Sequence, residues 1–374
     1  MIQDIIIRNT ERAQEAVALE SGDFIVTYGK LNQYVFNFAR HLRAAGFGLS
    51  DKCLIFLDNS IEFIVSFFGV NLAGGIAILA DTKYKSELNT IFSEHELKCI
   101  ITDKTGEEKI QYFLSHGTGS DKCTLCPEIV LIENGKKALL NDSVCQDSHQ
   151  SFIPCGKTNP DDPAMVLYTS GSTGTPRGVI NSHRTLEAAL RNYTETMKIR
   201  KEDRLIAITP FYHSYAFGSC MLAGLSSGAA LLLEQRFQPK KVLRLIAERG
   251  ATIFHGVPYM YTLVVEQLRK KKYNLETLRF CISAGGQLPS STAESFYALT
   301  GKVIHQEYGS TETGTIALNL SDNLKKNLES VGKPLKNVQV QAVEKEGRYK
   351  ILHVKSPGQS VGYSTSEPFQ RTWY

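Results

Sequence analysis

Short runs rich in valine, isoleucine and leucine recur along the chain at 52–57, 75–80, 99–102, 164–168, 204–209, 229–233 and 252–255, separated by segments of helical period. Each run is apolar at successive positions, so both faces of the strand it forms must be covered. That is the requirement of a largely parallel sheet with helices on either side. Between the runs, Ile61–Leu72 and Pro239–Arg249 repeat apolar residues at helical spacing, and Gly250 follows the second as a closing residue. After about residue 330 the pattern changes to alternation: 338–343 and 349–354 flank the polar stretch 344–348, which predicts an antiparallel hairpin with one wet face. The expected fold class is α/β, with two largely parallel sheets covered by helices and a small antiparallel β subdomain at the C-terminal end. The expected division is a first α/β subdomain over 1–160, a second over 161–330 and a partial β subdomain over 331–374. The polar, aperiodic stretch 106–157 is expected to be an insertion connecting the first two.

Composition narrows this picture. With 374 residues and 42% hydrophobic content the chain can bury more than one core. Its net charge of +4 is small, and the densest basic run, 269–272, follows a helical pattern and reads as a solvated helix end, which argues against a nucleic-acid partner. The apolar stretch 64–80 is short for a membrane span and is interrupted by Ser66, Asn71, Gly74 and Gly75. It is expected to be a buried helix, a glycine turn and a buried strand, with no membrane span. The first residues carry charge through their apolar positions and no small-residue cleavage site, so a cytoplasmic location is expected. The eight cysteines then read as free thiols. Cys123 and Cys126, followed by Cys145 and His149, have the residue types and spacing of a zinc site, although the segment lacks the turn glycines of a zinc ribbon; unpaired cysteines in a polar insertion are the alternative.

The densest chemistry lies in Leu167-Tyr-Thr-Ser-Gly-Ser-Thr-Gly-Thr-Pro-Arg-Gly-Val179. An apolar strand runs into a loop of glycines and hydroxyls with one cation, a composition that can wrap N–H groups and hydroxyls around phosphate oxygens while Arg177 balances their charge. The spacing is not that of a Walker loop, and Pro176 with Gly178 opposes a helix starting straight off the loop. A second strand from Gly178 is expected instead, before Ser182 caps the next helix. Taken alone, such a loop is also what a plain surface turn looks like.

The full string resembles the signature of the adenylate-forming superfamily: acyl- and aryl-CoA synthetases, peptide-synthetase adenylation domains and luciferases. Further segments resemble that family in order: Thr27-Tyr-Gly-Lys-Leu31, Leu72-Ala-Gly-Gly-Ile-Ala-Ile78, Pro210-Phe-Tyr-His-Ser-Tyr-Ala-Phe-Gly218, Ser283-Ala-Gly-Gly-Gln-Leu288 and Glu307-Tyr-Gly-Ser-Thr-Glu312. The resemblance implies ATP-dependent activation of a small-molecule carboxylic acid, with Mg2+ and with a thiol of CoA or an acyl carrier protein as acceptor. By the same resemblance, Thr169, Ser170, Gly171, Ser172, Thr173, Gly174 and Arg177 hold the ATP phosphates, and Gly285, Gly286, Glu307 and Tyr308 form the adenine site. Thr311 contacts phosphate, Glu312 binds Mg2+, and His213 orients the carboxylate or gates its pocket. Tyr215, Phe217, Gly218 and Ala284 line the acid pocket, with ordinary core packing as the alternative; His255 and His305 read as structural.

Amino-acid-activating members of the family carry an Asp in the segment equivalent to 211–214 to pair with the substrate ammonium, whereas here no acid lies between Arg204 and Glu234. A buried ammonium without a partner is costly, so a fatty or aromatic acid without an α-amino group is expected. Two departures stand out. Arg177 occupies the usual lysine position, replacing a point ammonium with a planar fork. The sequence also ends at Tyr374, before the Thr-Gly-Asp segment and the C-terminal lid domain with its lysine, so the chain alone is expected to be impaired. The rival expectations are a non-catalytic nucleotide-binding relative of the fold and, disfavoured by the loop spacing, a P-loop kinase.

Overall fold

A computed structural model describes residues 1–83, 85–116, 128–132, 158–169, 176–344 and 350–365. The chain divides into two units, the first made of Met1–Ala16, Val26–Thr185 and 360–365, the second of Val17–Ile25 and Leu186–Gln359. Both are α/β, as the patterning predicts.

The first unit holds a seven-stranded sheet in the order Gly362–Tyr363, Arg177–Ser182, Pro163–Thr169, Ile76–Leu79, Lys52–Phe56, Leu97–Asp103, Glu128–Ile132. It is parallel from Pro163–Thr169 to Glu128–Ile132 and antiparallel at the other edge. Leu54, Ile78, Ile100 and Val166 on its strands share one core with Leu88, Ile91 and Ile110 from helices. Helix Ile61–Leu72 is buried along its whole length, which explains its nearly uniform apolar sequence; Ser60 starts it by accepting from Phe63 N–H at 3.1 Å. The turn that follows needs Gly75, because a Cβ there would lie 2.2 Å from the Phe47 ring and 2.8 Å from the Asp51 carbonyl.

The second unit is built on a nine-stranded sheet in the order Lys333–Pro334, Gly314–Asn319, Ile304–Ser310, Phe280–Ser283, Ile253–Gly256, Arg204–Ala207, Ala230–Leu233, Val17–Ser21, Phe24–Thr27. From Ile304–Ser310 to Val17–Ser21 it is parallel. Val242 and Ile246 of helix Pro239–Arg249 pack with Ile206, Leu232 and Phe254 of the sheet, and Gly250 closes that helix at φ 65° as expected. At the N-terminal ends of three strands Asp203 is buried and binds Arg279, Thr252 Oγ1 at 2.8 Å and Arg200 N–H at 2.8 Å. The alternating segment near the end forms the expected hairpin, Gln339–Glu344 against Lys350–Lys355.

Three expectations about organisation change. The boundary at residue 160 moves to Thr185, because Pro163–Thr169 pairs in parallel with Ile76–Leu79 and carries the strands flanking the hydroxyl-rich loop into the first sheet. Residues after 330 are not a separate subdomain: the hairpin belongs to the second unit, and Gly362–Tyr363 pairs with the first sheet. Within the stretch read as a polar insertion lie part of helix Lys104–His116 and strand Glu128–Ile132, whose short Ile-Val-Leu-Ile run supplies an edge of the sheet. Among the described residues no helix is long and apolar enough to cross a membrane, and Cys53, Cys99, Cys220 and Cys281 are free and buried. Cys123, Cys126, Cys145 and His149 lie outside the described residues.

Candidate active site

In the first unit, Thr169 and Arg177 face each other across the antiparallel pair that carries the hydroxyl-rich loop. Ser170, Gly171, Ser172, Thr173 and Gly174 lie outside the described residues. The return strand Arg177–Ser182 forms as expected, and Ser182 caps the next helix: its Oγ accepts from Thr185 N–H at 3.2 Å while Thr185 Oγ1 accepts from Ser182 N–H at 3.0 Å. Arg177 is exposed, its guanidinium 5.6 Å from the centre of the Tyr363 ring. One residue before the loop, the Tyr168 hydroxyl donates to Glu94 at 2.7 Å and lies 2.9 Å from His95 Nε2. Ser364 also donates to Glu94. Burial and then the Lys52 charge hold His95 down at about 4, so it is neutral near pH 7.

In the second unit, Phe211 and Tyr212 are buried and His213 is exposed, its ring 4.9 Å from that of Tyr212. The neighbouring Ser214 Oγ lies 3.2 Å from Thr311 Oγ1, so the aromatic-histidine segment and the Tyr-Gly-Ser-Thr-Glu segment meet. Ala216–Leu222 is a π-helix, a form concentrated at functional sites. Phe217 on it is buried, whereas no atom lies within 4 Å of where a Cβ on Gly218 would stand. Tyr215 donates to the Ile282 carbonyl at 3.1 Å, just before Ser283 and buried Ala284; exposed Gly285 and Gly286 follow. Thr311 and Glu312 are half-buried in the turn joining Ile304–Ser310 to Gly314–Asn319.

Glu307 and Tyr308 turn opposite ways, as successive strand residues must. Tyr308 is 44% exposed and offers a ring face to solvent, while Glu307 is 7% exposed. The Glu307 carboxyl accepts from Ser219 Oγ at 2.7 Å, Thr315 Oγ1 at 2.7 Å and the Tyr193 hydroxyl at 3.2 Å. The Tyr193 hydroxyl also lies 3.0 Å from His255 Nε2, and the Tyr215 ring packs against His255 at 5.9 Å. Burial pushes the Glu307 carboxyl up to about 7 against the opposing effect of its three donors, and holds His255 down at about 3. The Glu307 side chain is thus enclosed, and only its backbone remains for the adenine contact that the motif implies. His305, read as structural, is buried with Nδ1 3.0 Å from the Asn319 carbonyl.

Sequence reasoning missed Tyr193, Ser219 and Thr315, and read His255 without its partners. A signal was present in the histidine at 255, which follows the apolar Ile253 and Phe254; Glu307 follows His305 and Gln306 and carries no such signal. Among the described residues, no group of three or more His, Cys, Asp and Glu side chains comes together to hold a metal.

Comparison with known proteins agrees with this geometry. A 4-coumarate–CoA ligase of Nicotiana tabacum is 26% identical over 298 residues, covering 78% of this chain and 54% of the relative. A 3-hydroxybenzoate–CoA ligase of Aromatoleum sp. (strain CIB) is 24% identical, covering 96% of this chain and 70% of the relative. The chain therefore spans about half the length of some of the relatives it matches, 54% for the tobacco protein and 59% for an Arabidopsis thaliana 4-coumarate–CoA ligase. The fold is shared with the N-terminal domain of FACL13 from Mycobacterium tuberculosis, at TM-score 0.85 and 22% identity over 97% of this chain and 90% of that one. An anthranilate CoA ligase solved with anthranoyl-AMP superposes at TM-score 0.86 with 21% identity, over 99% of this chain and 71% of that one. The family of AMP-binding enzymes matches from residue 7 to residue 363, so that every motif quoted above falls inside the match, and the chain belongs to that family.

Proposed function

We propose that this chain activates a carboxylic acid with ATP: a carboxylate oxygen bonds to the α-phosphorus as the bond to pyrophosphate breaks, and the acyl group of the resulting adenylate passes to a thiol such as that of CoA. The observation that carries this reading is the 3.2 Å approach of Ser214 to Thr311, which sets the acid-pocket segment against the turn bearing Thr311 and Glu312. Bringing two anions together and building charge on the leaving pyrophosphate makes positioning and charge neutralisation the main tasks. Arg177, Thr169 and the loop 170–174 supply cation and hydroxyls for the phosphates. Exposed Tyr308 supplies a face on which adenine stacks, beside Gly285 and Gly286. The donor set fits magnesium: Glu312, half-buried beside the Thr311 hydroxyl, offers the hard carboxylate oxygen that this ion takes together with phosphate oxygens.

The acid is fatty or aromatic and lacks an α-amino group. The acids that flank the aromatic-histidine segment in sequence are engaged elsewhere, Asp203 with Arg279 and Glu234 with Lys241, so neither is free to pair with a substrate ammonium. Relatives named for 4-coumarate and 3-hydroxybenzoate support the aromatic choice.

Calorimetric titration with ATP–Mg2+ and with non-hydrolysable acyl-adenylate analogues tests the reading. Thr311→Ala and Glu312→Ala each remove an interaction with a charged ligand worth about 1.5–3 kcal/mol, so binding is expected to weaken roughly tenfold to a hundredfold. Saturable binding that both substitutions leave unchanged, or no binding by any of these ligands, would sink it.

A further inference from the structure

Three segments of the first unit converge on one carboxyl oxygen. Glu94 Oε2 accepts from the Tyr168 hydroxyl at 2.7 Å and from the Ser364 hydroxyl. Glu94 is the last residue of helix Lys85–Glu94, where the negative end of the helix dipole makes an acid locally unfavourable. The helix itself therefore gives no reason for an acid here, and the two donors do.

Both donors bear on the strands that flank the hydroxyl-rich loop. Tyr168 stands opposite Gly178 across the antiparallel pair, and the next rung toward the loop is Thr169 with Arg177. Ser364 N–H donates to the Gly178 carbonyl at 2.7 Å, and its side chain passes close over Gly178: a Cβ there would lie 2.4 Å from Ser364 Oγ and 2.9 Å from Val166 Cγ1. Glycine at 178 thus leaves open the path by which Ser364 reaches Glu94. On the other strand, the Tyr168 proton goes to Glu94, so the 2.9 Å contact with His95 must carry a proton from His95 Nε2. The Tyr168 hydroxyl is held from two sides, and one carboxyl oxygen ties both strands to one helix end.

We propose, given the adenylation reading, that Glu94 is a positioning residue for pyrophosphate: through Tyr168 and Ser364 it fixes the spacing of the strands on which Thr169 and Arg177 stand. Its bonds act one residue away from the two groups to which that reading gives the phosphates, and Glu94 itself touches no ligand. Groups held in place before the anion arrives lose less freedom on binding it, which appears as affinity.

The test is calorimetric titration of the unmodified chain, Glu94→Ala, Glu94→Gln and Ser364→Ala with two probes. One is magnesium pyrophosphate; the other is a non-hydrolysable acyl-sulfamoyl adenosine, which carries no pyrophosphate. Glu94→Ala is expected to weaken pyrophosphate binding about tenfold, and Glu94→Gln, whose amide oxygen can accept both protons, by about twofold at most. Ser364→Ala keeps the backbone bond to Gly178 and loses only the one to Glu94, so it is expected to fold and to weaken pyrophosphate binding about threefold. Affinity for the acyl compound should stay within about twofold throughout. A support for stability alone would lower the unfolding temperature and leave the folded chain's pyrophosphate affinity unchanged. That result in Ser364→Ala, or an equal loss for both probes, overturns the proposal and leaves the adenylation reading standing, as does an unmodified chain that binds the acyl compound and not pyrophosphate. Binding of neither probe by the unmodified chain removes both.

Discussion

In the first unit the Tyr168 hydroxyl lies 2.7 Å from a Glu94 oxygen and 2.9 Å from His95 Nε2; in the second, the Tyr193 hydroxyl lies 3.2 Å from a Glu307 oxygen and 3.0 Å from His255 Nε2. Each trio adjoins a segment to which the proposed function gives a role, the hydroxyl-rich loop after Tyr168 and the Tyr308–Glu312 turn after Glu307. Side-chain chemistry is the same in both; solvation of the acid is not. Glu94 is half-buried and remains in reach of water, whereas Glu307 is enclosed and its carboxyl is pushed up to about 7. Two clusters of one composition thus differ in how far the acid is shielded from water, and the enclosed one holds a carboxyl that titrates near neutrality.

The largest expected effect follows from that difference. Glu307 has a folded pKa raised above its unfolded value, so the folded state holds the proton more tightly and stability falls as pH rises between the two values. From about pH 4.5 to 7 the loss attributable to this carboxyl is up to about 3 kcal/mol, with no further change above 7. His255 and His95, both held low, slope the other way, since their stability contribution is lost as pH falls below about 6.5. Glu87, also raised to about 7, adds a slope of the same sign as Glu307. The difference between unmodified chain and Glu307→Gln isolates Glu307: urea unfolding across pH 5 to 8 should show a gap that narrows or reverses as pH rises and is flat above 7. A pH-independent gap would break the distinction between the two trios.

A paired substitution comes next in size. Tyr193→Phe removes a donor from the enclosed acid and leaves His255 without a partner at Nε2, for an expected cost of about 2–3 kcal/mol. Tyr168→Phe removes the matching pair of bonds, but Glu94 keeps Ser364 and water, so about 1 kcal/mol is expected. Denaturant midpoints of the two variants at pH 7 decide the matter, and equal costs would mean that enclosure of the acid is not what separates the trios.

How much of this could be read in advance depends on the range of the interaction. Helices Ile61–Leu72 and Pro239–Arg249, the strand returning through Gly178 and the Ser182 cap are set by neighbours a few positions apart, and the patterning places them correctly. The unit boundary was misplaced because a hydrophobic run announces a strand without saying which strand it pairs with; Pro163–Thr169 joins Ile76–Leu79 across more than eighty intervening residues. Tyr193, Ser219, His255 and Thr315 were invisible as a group for the same reason: each is ordinary in its own segment, and only the sheet register and the π-helix bring them to Glu307. Phe217, for which a pocket role and ordinary core packing were both open, is 1% exposed.

The smallest effect concerns an exposed cation of the first unit, Arg177, to which the proposed function gives a role at the phosphates. Arg177 has its guanidinium 5.6 Å from the Tyr363 ring centre, and Tyr363 is held by pairing with Val179 in the adjacent strand. An aromatic face beneath an exposed guanidinium is worth about 0.5–1 kcal/mol and restricts the orientations the fork can take. If that restriction prepares Arg177 for phosphate oxygens, Tyr363→Leu should weaken pyrophosphate binding about two- to fivefold, the same energy expressed as affinity. Calorimetric titration at two salt concentrations separates this from a loss of charge: the salt dependence should stay as it was, because the cation remains while its ordering is lost. Tighter binding in Tyr363→Leu would show instead that the ring competes with the ligand for Arg177.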